Sequence, residues 1–164
     1  MTESLPIPTA KPPTGSRGHS GTVLGLDFGE RRIGIAVSDV EKRLATGITT
    51  IDRRQQPDVF KVLEEFIRLR NVEAIVLGYP LRTDGKTSEL GQDKTAVVDA
   101  FAEELKSRFG LPVHLEDESF SSSMAADSLR KRKGKRTKHR NFAREKAEID
   151  RVAACIILQD WLDR

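Results

Sequence analysis

Two short apolar stretches near the N-terminus, separated by the turn GERR, restrict the fold of this chain more than any other feature. TVLGLDF covers residues 22–28 and IGIAVSD covers residues 33–39. In the second stretch, branched apolar residues alternate with small residues, which predicts a strand whose small-residue face lies close to another element. Asp27 interrupts the first strand. A carboxylate leaves water at high cost unless it is paired, hydrogen-bonded or bound to metal, so Asp27 either caps a strand end or faces a site.

Downstream, the period of the apolar residues alternates between that of a helix and that of a strand. Further strands are predicted in ATGITTI, EAIVLGYP and LPVHLEDES, at residues 45–51, 73–80 and 111–119. Helices are predicted around 59–67 with Pro57 at the first position, around 94–108, within 121–131, and from about Glu145 to Leu162. The order βββ-α-β-α-β-α-α predicts an α/β fold, with a mixed five-stranded sheet and helices on both faces.

Acidic residues occur at three places that such a sheet brings to one edge. Asp27 ends the first strand, the EDE run at 116–118 ends the fifth, and Asp150 leads the apolar face of the last helix. Sites in open α/β sheets collect at the carboxyl ends of strands. Each acid also has a simpler explanation, because strand-end acids cap turns or meet solvent and an acid near a helix start favours the macrodipole. The residues alone do not choose between Glu116 and Glu118.

Three neighbouring carboxylates favour a hard divalent cation. Without one they repel each other and their pKa values rise. Mg²⁺ and Mn²⁺ prefer carboxylate oxygen, and a pair of such ions supports phosphodiester hydrolysis. Zinc is not indicated, because His19, His114 and His139 are scattered and Cys155 lies among apolar residues, where a buried thiol is inert.

A basic segment precedes the last helix. RKRKGKRTKHR, at residues 130–140, holds eight Lys or Arg in eleven positions, whereas the net charge of the whole chain is only +3. Such a density is typical either of a solvated loop or of a nucleic-acid backbone contact, and the second is the prediction here. The predicted nucleic-acid-binding residues are Arg130, Lys131, Arg132, Lys133, Lys135, Arg136, Lys138 and Arg140.

The composition of the N-terminus and the cysteine content bear on where in the cell the protein is expected. Residues 1–20 hold four of the seven prolines and few apolar residues, which predicts a disordered tail before one domain at 21–164. The N-terminus lacks the charged and apolar regions of a signal peptide, and no stretch reaches the length of a membrane span. With a single cysteine, a cytoplasmic protein is expected.

Four segments together resemble the YqgF/RuvX family: GLDFGERRIGIAVSD, VLGYPLRTDG, LEDESFSSSMA and IDRVAACIILQDWL. The resemblance covers about residues 22–163. Members are similar to Holliday-junction resolvases of the RuvC type in having a ribonuclease H-like fold. The resemblance therefore implies a ribonuclease H-like domain and a metal-dependent nuclease that matures the 5′ end of precursor 16S rRNA in ribosome biogenesis. Resolution of Holliday junctions in DNA is the alternative that it implies.

The resemblance also implies roles for individual residues. Asp27 matches the acid of the first strand, Glu118 the second acid of the family's DER run, and Asp150 the acid at the start of the final helix. These three are the implied catalytic residues and the implied ligands of two Mg²⁺ or Mn²⁺ ions. Two positions depart from the family pattern, with Ser119 in place of arginine and Tyr79 in place of leucine. The arginine could hold phosphate, so the basic segment is expected to supply that contact.

The implied partners are precursor rRNA or branched DNA, together with ribosomal particles. No contact with a membrane is implied, and the protein could be either a monomer or a homodimer. A non-catalytic RNA-binding assembly factor on the same fold is a further alternative, which Ser119 favours. DFG before a turn also resembles the phosphate loop of sugar-kinase and actin-like ATPases. Those enzymes need two large lobes, for which 164 residues are too few.

Overall fold

A single sheet of five strands, in the spatial order β3-β2-β1-β4-β5, organises the molecule. The computed structural model describes residues 21–80, 89–118, 124–128, 131 and 142–164. The strands are β1 (Thr22–Phe28), β2 (Arg32–Ser38), β3 (Ala45–Asp52), β4 (Val72–Tyr79) and β5 (Val113–Asp117). The main helices are α1 (Val59–Arg70), α2 (Glu89–Phe109) and α3 (Phe142–Leu162), and residues 124–128 are also helical.

The sheet is mixed, as the element order predicts. The first three strands form an antiparallel meander, whereas β4 pairs parallel to β1 and β5 parallel to β4. This arrangement confirms the predicted α/β class with a mixed five-stranded sheet. The predicted tail at 1–20 lies outside the described residues. Within the described ranges, no helix is long and apolar enough to cross a membrane.

Alternation along the strands divides the core between the two faces of the sheet. Leu24 and Leu26 of β1 pack with α1 and α2, which contribute Leu63 and Phe101 among others. The opposite face, with Val23 of β1, packs against the apolar stripe of α3. Burial of these apolar side chains is the main stabilising term for such layered packing. The helices therefore cover both faces of the sheet, as expected.

The small-residue face of the meander receives α3 at very short range. A Cβ atom built on Gly34 would lie 2.0 Å from the carbonyl oxygen of Asp150, and one on Gly25 would lie 2.7 Å from Cβ of Leu158. A Cβ on Gly47 would lie 2.9 Å from Cγ of Arg151. The predicted close approach of another element is confirmed, and the element is α3.

The helix boundaries differ from the sequence-based predictions in three places. Pro57 is not the first residue of α1, because Asp58 is the N-cap and its side chain accepts a hydrogen bond from the Lys61 N–H at 3.2 Å. Aspartate is among the strongest N-cap residues. Helix α2 begins at Glu89 rather than near 94, and therefore tolerates Gly91 at a cost of about 1 kcal/mol. Helix α3 begins at Phe142 rather than near 145, through residues of good helix propensity.

The carboxyl ends of β1, β4 and β5 meet at one edge of the sheet, because these three strands run parallel. The chain continues this pairing one residue beyond β5, where the Glu118 N–H donates to the carbonyl of Tyr79 at 3.1 Å. The antiparallel meander brings the start of β2 and the end of β3 to the same edge, where Arg32 pairs with Asp52. This edge is referred to below as the active edge.

Candidate active site

The structure brings Asp27 and Glu118 together at the active edge. Asp27 is the penultimate residue of β1 and faces the α3 side of the sheet, as Gly25 does two residues earlier. Glu118 follows β5 and points to the same side, where its Oε2 is buried beside Gly78 of β4. A Cβ on Gly78 would lie 2.7 Å from that oxygen, so glycine leaves the space that Glu118 occupies.

The electrostatics of Asp27 are those of a carboxylate crowded by other carboxylates. Burial, the charge of Glu118, a hydrogen bond with Glu118 and the charge of Asp150 together raise the pKa of Asp27 to about 8. Burial is the largest of these causes, because it disfavours the charged form. Near neutral pH, Asp27 therefore keeps its proton and shares it with Glu118. A carboxyl group with such a pKa is typical of a functional site.

Asp150 is the third acid of the group, and its carboxylate is held by an arginine. Nε of Arg32 donates to Oδ2 of Asp150 at 2.5 Å, and both side chains are about one-fifth exposed, at 20% and 22%. Asp150 acts on Asp27 through charge, whereas Glu118 acts through charge and a hydrogen bond. Because α3 begins at Phe142, Asp150 lies well inside the helix, so an interaction with the helix N-terminus does not explain its position.

Sequence reasoning missed Arg32, which it treated only as part of a turn. A usable signal was present, because Arg32 is two residues before Gly34 and alternate strand residues face the same side. The small-residue face that predicts the approach of α3 therefore also predicts that Arg32 faces α3. A basic residue beside the partly buried Asp150 is the expected local compensation of charge.

Glu116 lies on the same face of β5 but is engaged elsewhere. Its side chain is 3% exposed and forms an ion pair with Arg164. Burial raises the pKa of Glu116, and the charge of Arg164 partly opposes that rise. An open pocket of about 660 Å³ lies here, lined among others by His114, Glu116 and Trp161, and none of the three acids lines it. The geometry therefore separates Glu118, at the acid group, from Glu116, at the C-terminus.

The other candidate ligands lie away from the acids. The ring of His114 packs on Trp161 with 5.0 Å between the ring centroids. Sγ of Cys155 donates to the carbonyl of Ala45 at 3.2 Å, and burial raises the pKa of this thiol. In the described parts of the chain, no three His, Cys, Asp or Glu side chains are close enough to hold a metal ion as they stand. In Asp150, one carboxylate oxygen, Oδ2, is engaged by Arg32.

Most of the predicted nucleic-acid-binding segment falls outside the described residues. Of its eight basic residues, only Lys131 lies within them, and its side chain is exposed. Ser119, the departure from the family's arginine, also lies outside them. Tyr79, the other departure, is at the active edge, where its hydroxyl donates to Asp99 at 3.3 Å.

The sequence of the whole described domain matches one family. The model of the RuvX family, described as a Holliday junction resolvase, matches residues 21–164. A relative from Chloroflexus aurantiacus is 38% identical over 141 residues, which are 86% of this chain and 86% of that protein. A relative from Desulfitobacterium hafniense is 40% identical over 141 residues, which are 86% of this chain and 91% of that protein. Both carry the name "Putative pre-16S rRNA nuclease".

The fold is also similar to that of a solved resolvase. The structure of the Fowlpox virus resolvase with Holliday junction DNA superposes with a TM-score of 0.51 at 10% identity. The match covers 87% of this chain and 97% of that one. At this identity the likeness concerns the fold alone, and it agrees with the predicted ribonuclease H-like architecture.

Proposed function

The chain belongs to the RuvX family, and we propose that it is a metal-dependent nuclease that hydrolyses phosphodiester bonds at the 5′ end of precursor 16S rRNA. The names of the two relatives support the substrate, and their identity extends over most of this chain. Such an enzyme meets its substrate on ribosomal particles in the cytoplasm. A chain with one cysteine is suited to that reducing compartment.

One observation carries the proposal: the carboxyl group of Asp27, with a pKa raised to about 8, lies beside Glu118 and near Asp150. Folding has placed like charges together at a cost, and such an arrangement is stabilised by a cation. The donors are all carboxylate oxygens, which is the ligand type of Mg²⁺ and Mn²⁺ rather than of zinc. The residues therefore fit a hard divalent cation in chemical type.

Asp27, Glu118 and Asp150 are the residues that would hold one or two such ions. Ions held there would supply an activated water and charge stabilisation for the departing oxygen. The chain's own contribution is to position these groups. The ends of β1 and β5 fix two carboxylates, the close contact of α3 with Gly34 fixes the third, and Arg32 orients it. Asp27 must lose its proton before it binds a cation, so activity is expected to rise with pH.

Resolution of Holliday junctions is the second candidate function. The description of the RuvX family favours it, because that description names a Holliday junction resolvase. The same three acids would serve either substrate, because the chemistry at phosphorus is the same and fold alone does not determine function. A cleavage assay, rather than the geometry of the site, is therefore needed to decide between an RNA and a DNA substrate.

The test is a cleavage assay in Mn²⁺ and in Mg²⁺ that compares precursor 16S 5′-leader RNA with a four-way DNA junction. Asp27→Asn is the test variant, and Asp160→Asn, at an exposed acid on α3, is the matched control. RNA cleavage that is lost only in Asp27→Asn supports the proposal. Cleavage of the junction alone supports the resolvase function instead. Binding without cleavage of either substrate overturns both and favours a non-catalytic assembly factor.

A further inference from the structure

Arg32 stands beside Asp150 at the active edge, with Arg31 and Arg53 near it at the same edge, and we propose that these three arginines bind the phosphodiester backbone of the nucleic-acid substrate. Arg31 and Arg32 come from the turn into β2, and Arg53 follows β3. These three residues are called the arginine rim. The proposal rests on the nuclease function above and deepens it, because it assigns a substrate contact to residues distinct from the basic segment at 130–140.

The hairpin geometry brings the three arginines together. Arg32 pairs with Asp52 in the ladder between β2 and β3, and the Arg53 N–H donates to the carbonyl of Arg31 at 2.9 Å. The turn before β2 and the residues after β3 are therefore adjacent. Both lie at the edge where β1 ends. Arg32 faces the acids on the α3 side, whereas Arg53 lies over Phe28 on the other face, so the rim crosses the edge of the sheet on the β2–β3 side.

Arg32 has donors to spare. Its Nε donates to Asp150, and within the described ranges its side chain makes no other hydrogen bond. Both Nη groups of a guanidinium are donors in a fixed planar fork that matches a phosphate. With 20% of its side chain exposed, Arg32 reaches solvent from beside Asp150. It can therefore contact a substrate phosphate without releasing the catalytic acid.

Arg53 is fixed in place by neighbours that carry no charge. Its Nη1 donates to the carbonyl of Glu30 at 3.1 Å, and its guanidinium lies 5.3 Å from the ring centroid of Phe28, which follows Asp27 in the chain and packs on the α1–α2 face of the sheet. Backbone carbonyls and an aromatic ring orient a guanidinium but do not neutralise it. A positive charge held this way is available to an anion.

Arg31 completes the rim as its outermost member. Its side chain is 53% exposed, and its Nε lies 3.9 Å from Oδ2 of Asp52, which is a long and solvated ion pair. Such pairs contribute little stability, so the charge is not committed to holding the fold. The first turns of α3 also lie on this side, because the Thr50 hydroxyl near the end of β3 donates to the carbonyl of Ala147 at 2.6 Å.

The test measures binding in the absence of metal and so does not depend on cleavage. A fluorescein-labelled single-stranded RNA from the 16S 5′ leader is titrated by anisotropy in EDTA, over salt from about 50 to 300 mM. The variants are Arg32→Gln and Arg53→Gln. The control is Arg68→Gln, which removes the same charge from an exposed position near the end of α1. This helix leads into the start of β4, at the end of the sheet opposite to the active edge.

Each rim variant is expected to weaken binding by about threefold to tenfold and to reduce the slope of log K against log salt by about 0.7, the value for one lost phosphate contact on a single strand. Arg68→Gln is expected to keep the wild-type slope. Wild-type slopes in both rim variants would overturn the proposal. A slope change in Arg53→Gln alone would reduce Arg32 to a positioning residue for Asp150 and overturn its assigned contact.

Stability and cleavage are measured alongside binding. The Tm of each variant is recorded, and if Arg32→Gln is unfolded, Arg31→Gln replaces it, because the long ion pair of Arg31 makes that change structurally mild. Failure of the rim is also distinguishable from failure of the nuclease. Cleavage that depends on Asp27 together with wild-type slopes rejects only the rim, whereas altered slopes without any cleavage reject only the nuclease.

Discussion

Asp27 lies directly opposite Gly34 in the antiparallel register of β1 and β2, and the missing side chain of Gly34 is what admits α3 beside the acid. Residues paired in this way project from the same face of a sheet. The position that would project beside Asp27 is occupied instead by the backbone of Asp150. The strand register and the helix contact together place two of the three acids, and a glycine is the residue that makes this possible.

Gly34→Ala is therefore expected to damage both stability and the site. The new methyl group would meet the Asp150 carbonyl at 2.0 Å, and backbone cannot yield as a side chain does. A cost of about 1–3 kcal/mol is typical of overpacking, which corresponds to a Tm lower by roughly 2–12 °C in a domain of this size. Thermal unfolding measures it. Gly47→Ala, which first meets the flexible side chain of Arg151, should cost less, and equal losses would contradict the account.

The raised pKa of Asp27 predicts a stability effect whose sign depends on pH. The pKa is about 8 in the folded protein against 3.8 for the unperturbed group, so between these values the folded state alone holds the proton. Stability of the metal-free protein then falls as pH rises through that interval. Asp27→Asn cannot ionise, and its Tm should exceed that of wild type by about 4–8 °C near pH 9, or ~2 kcal/mol, with a small difference near pH 5.

The control for this experiment is Asp160→Asn, which removes an acid that is exposed on α3. Near pH 9 it should lack the gain in Tm that Asp27→Asn shows, because it leaves the acid group unchanged. If Asp27→Asn lowered the Tm equally at both pH values, Asp27 would be an ordinary hydrogen-bonded acid, and the crowding of carboxylates at the active edge would be refuted.

Cation binding should compete with the proton on Asp27. Metal ligands must be deprotonated, so binding of Mn²⁺ releases the proton that this carboxyl group holds below about pH 8. We expect the rise in Tm produced by millimolar Mn²⁺ to be larger near pH 8.5 than near pH 6, and to be absent in Asp27→Asn. A rise that is the same at both pH values, or that persists in the variant, would place the ion elsewhere.

Much of the fold could be predicted from local patterns, because alternation in β2 and the apolar stripe of α3 each reflect one buried face. The first residues of the helices were harder to predict. Glycine at position 91 is typical of a loop, yet α2 includes Gly91 because the neighbouring residues favour a helix. The N-cap at Asp58 was missed because Pro57 offered a competing signal. Local propensity alone does not weigh such signals against each other.

The site was less predictable than the fold, since it depends on contacts between distant segments. The residues alone left Glu116 and Glu118 equivalent, because both face one side of β5. What distinguishes them is Arg164, which pairs with Glu116 from the far end of the chain. Arg32 was missed for a similar reason, because its partner Asp150 is 118 positions away. From the sequence, only the resemblance to known proteins favoured Glu118 over Glu116.

The most direct test of the central claim compares Glu118→Gln with Glu116→Gln in metal-dependent cleavage of the precursor 16S leader RNA. The two changes are chemically identical and affect side chains that point to the same face of the sheet. Glu118 lies at the acid group, whereas Glu116 lies beside Arg164. Loss of a metal ligand removes several kcal/mol of stabilisation from the transition state, so Glu118→Gln should be slower by about 100-fold or more. Glu116→Gln should stay within a few-fold of wild type when each protein is assayed at the same interval below its own Tm. Equal losses in the two variants, or a greater loss in Glu116→Gln, would contradict the assignment of the active site.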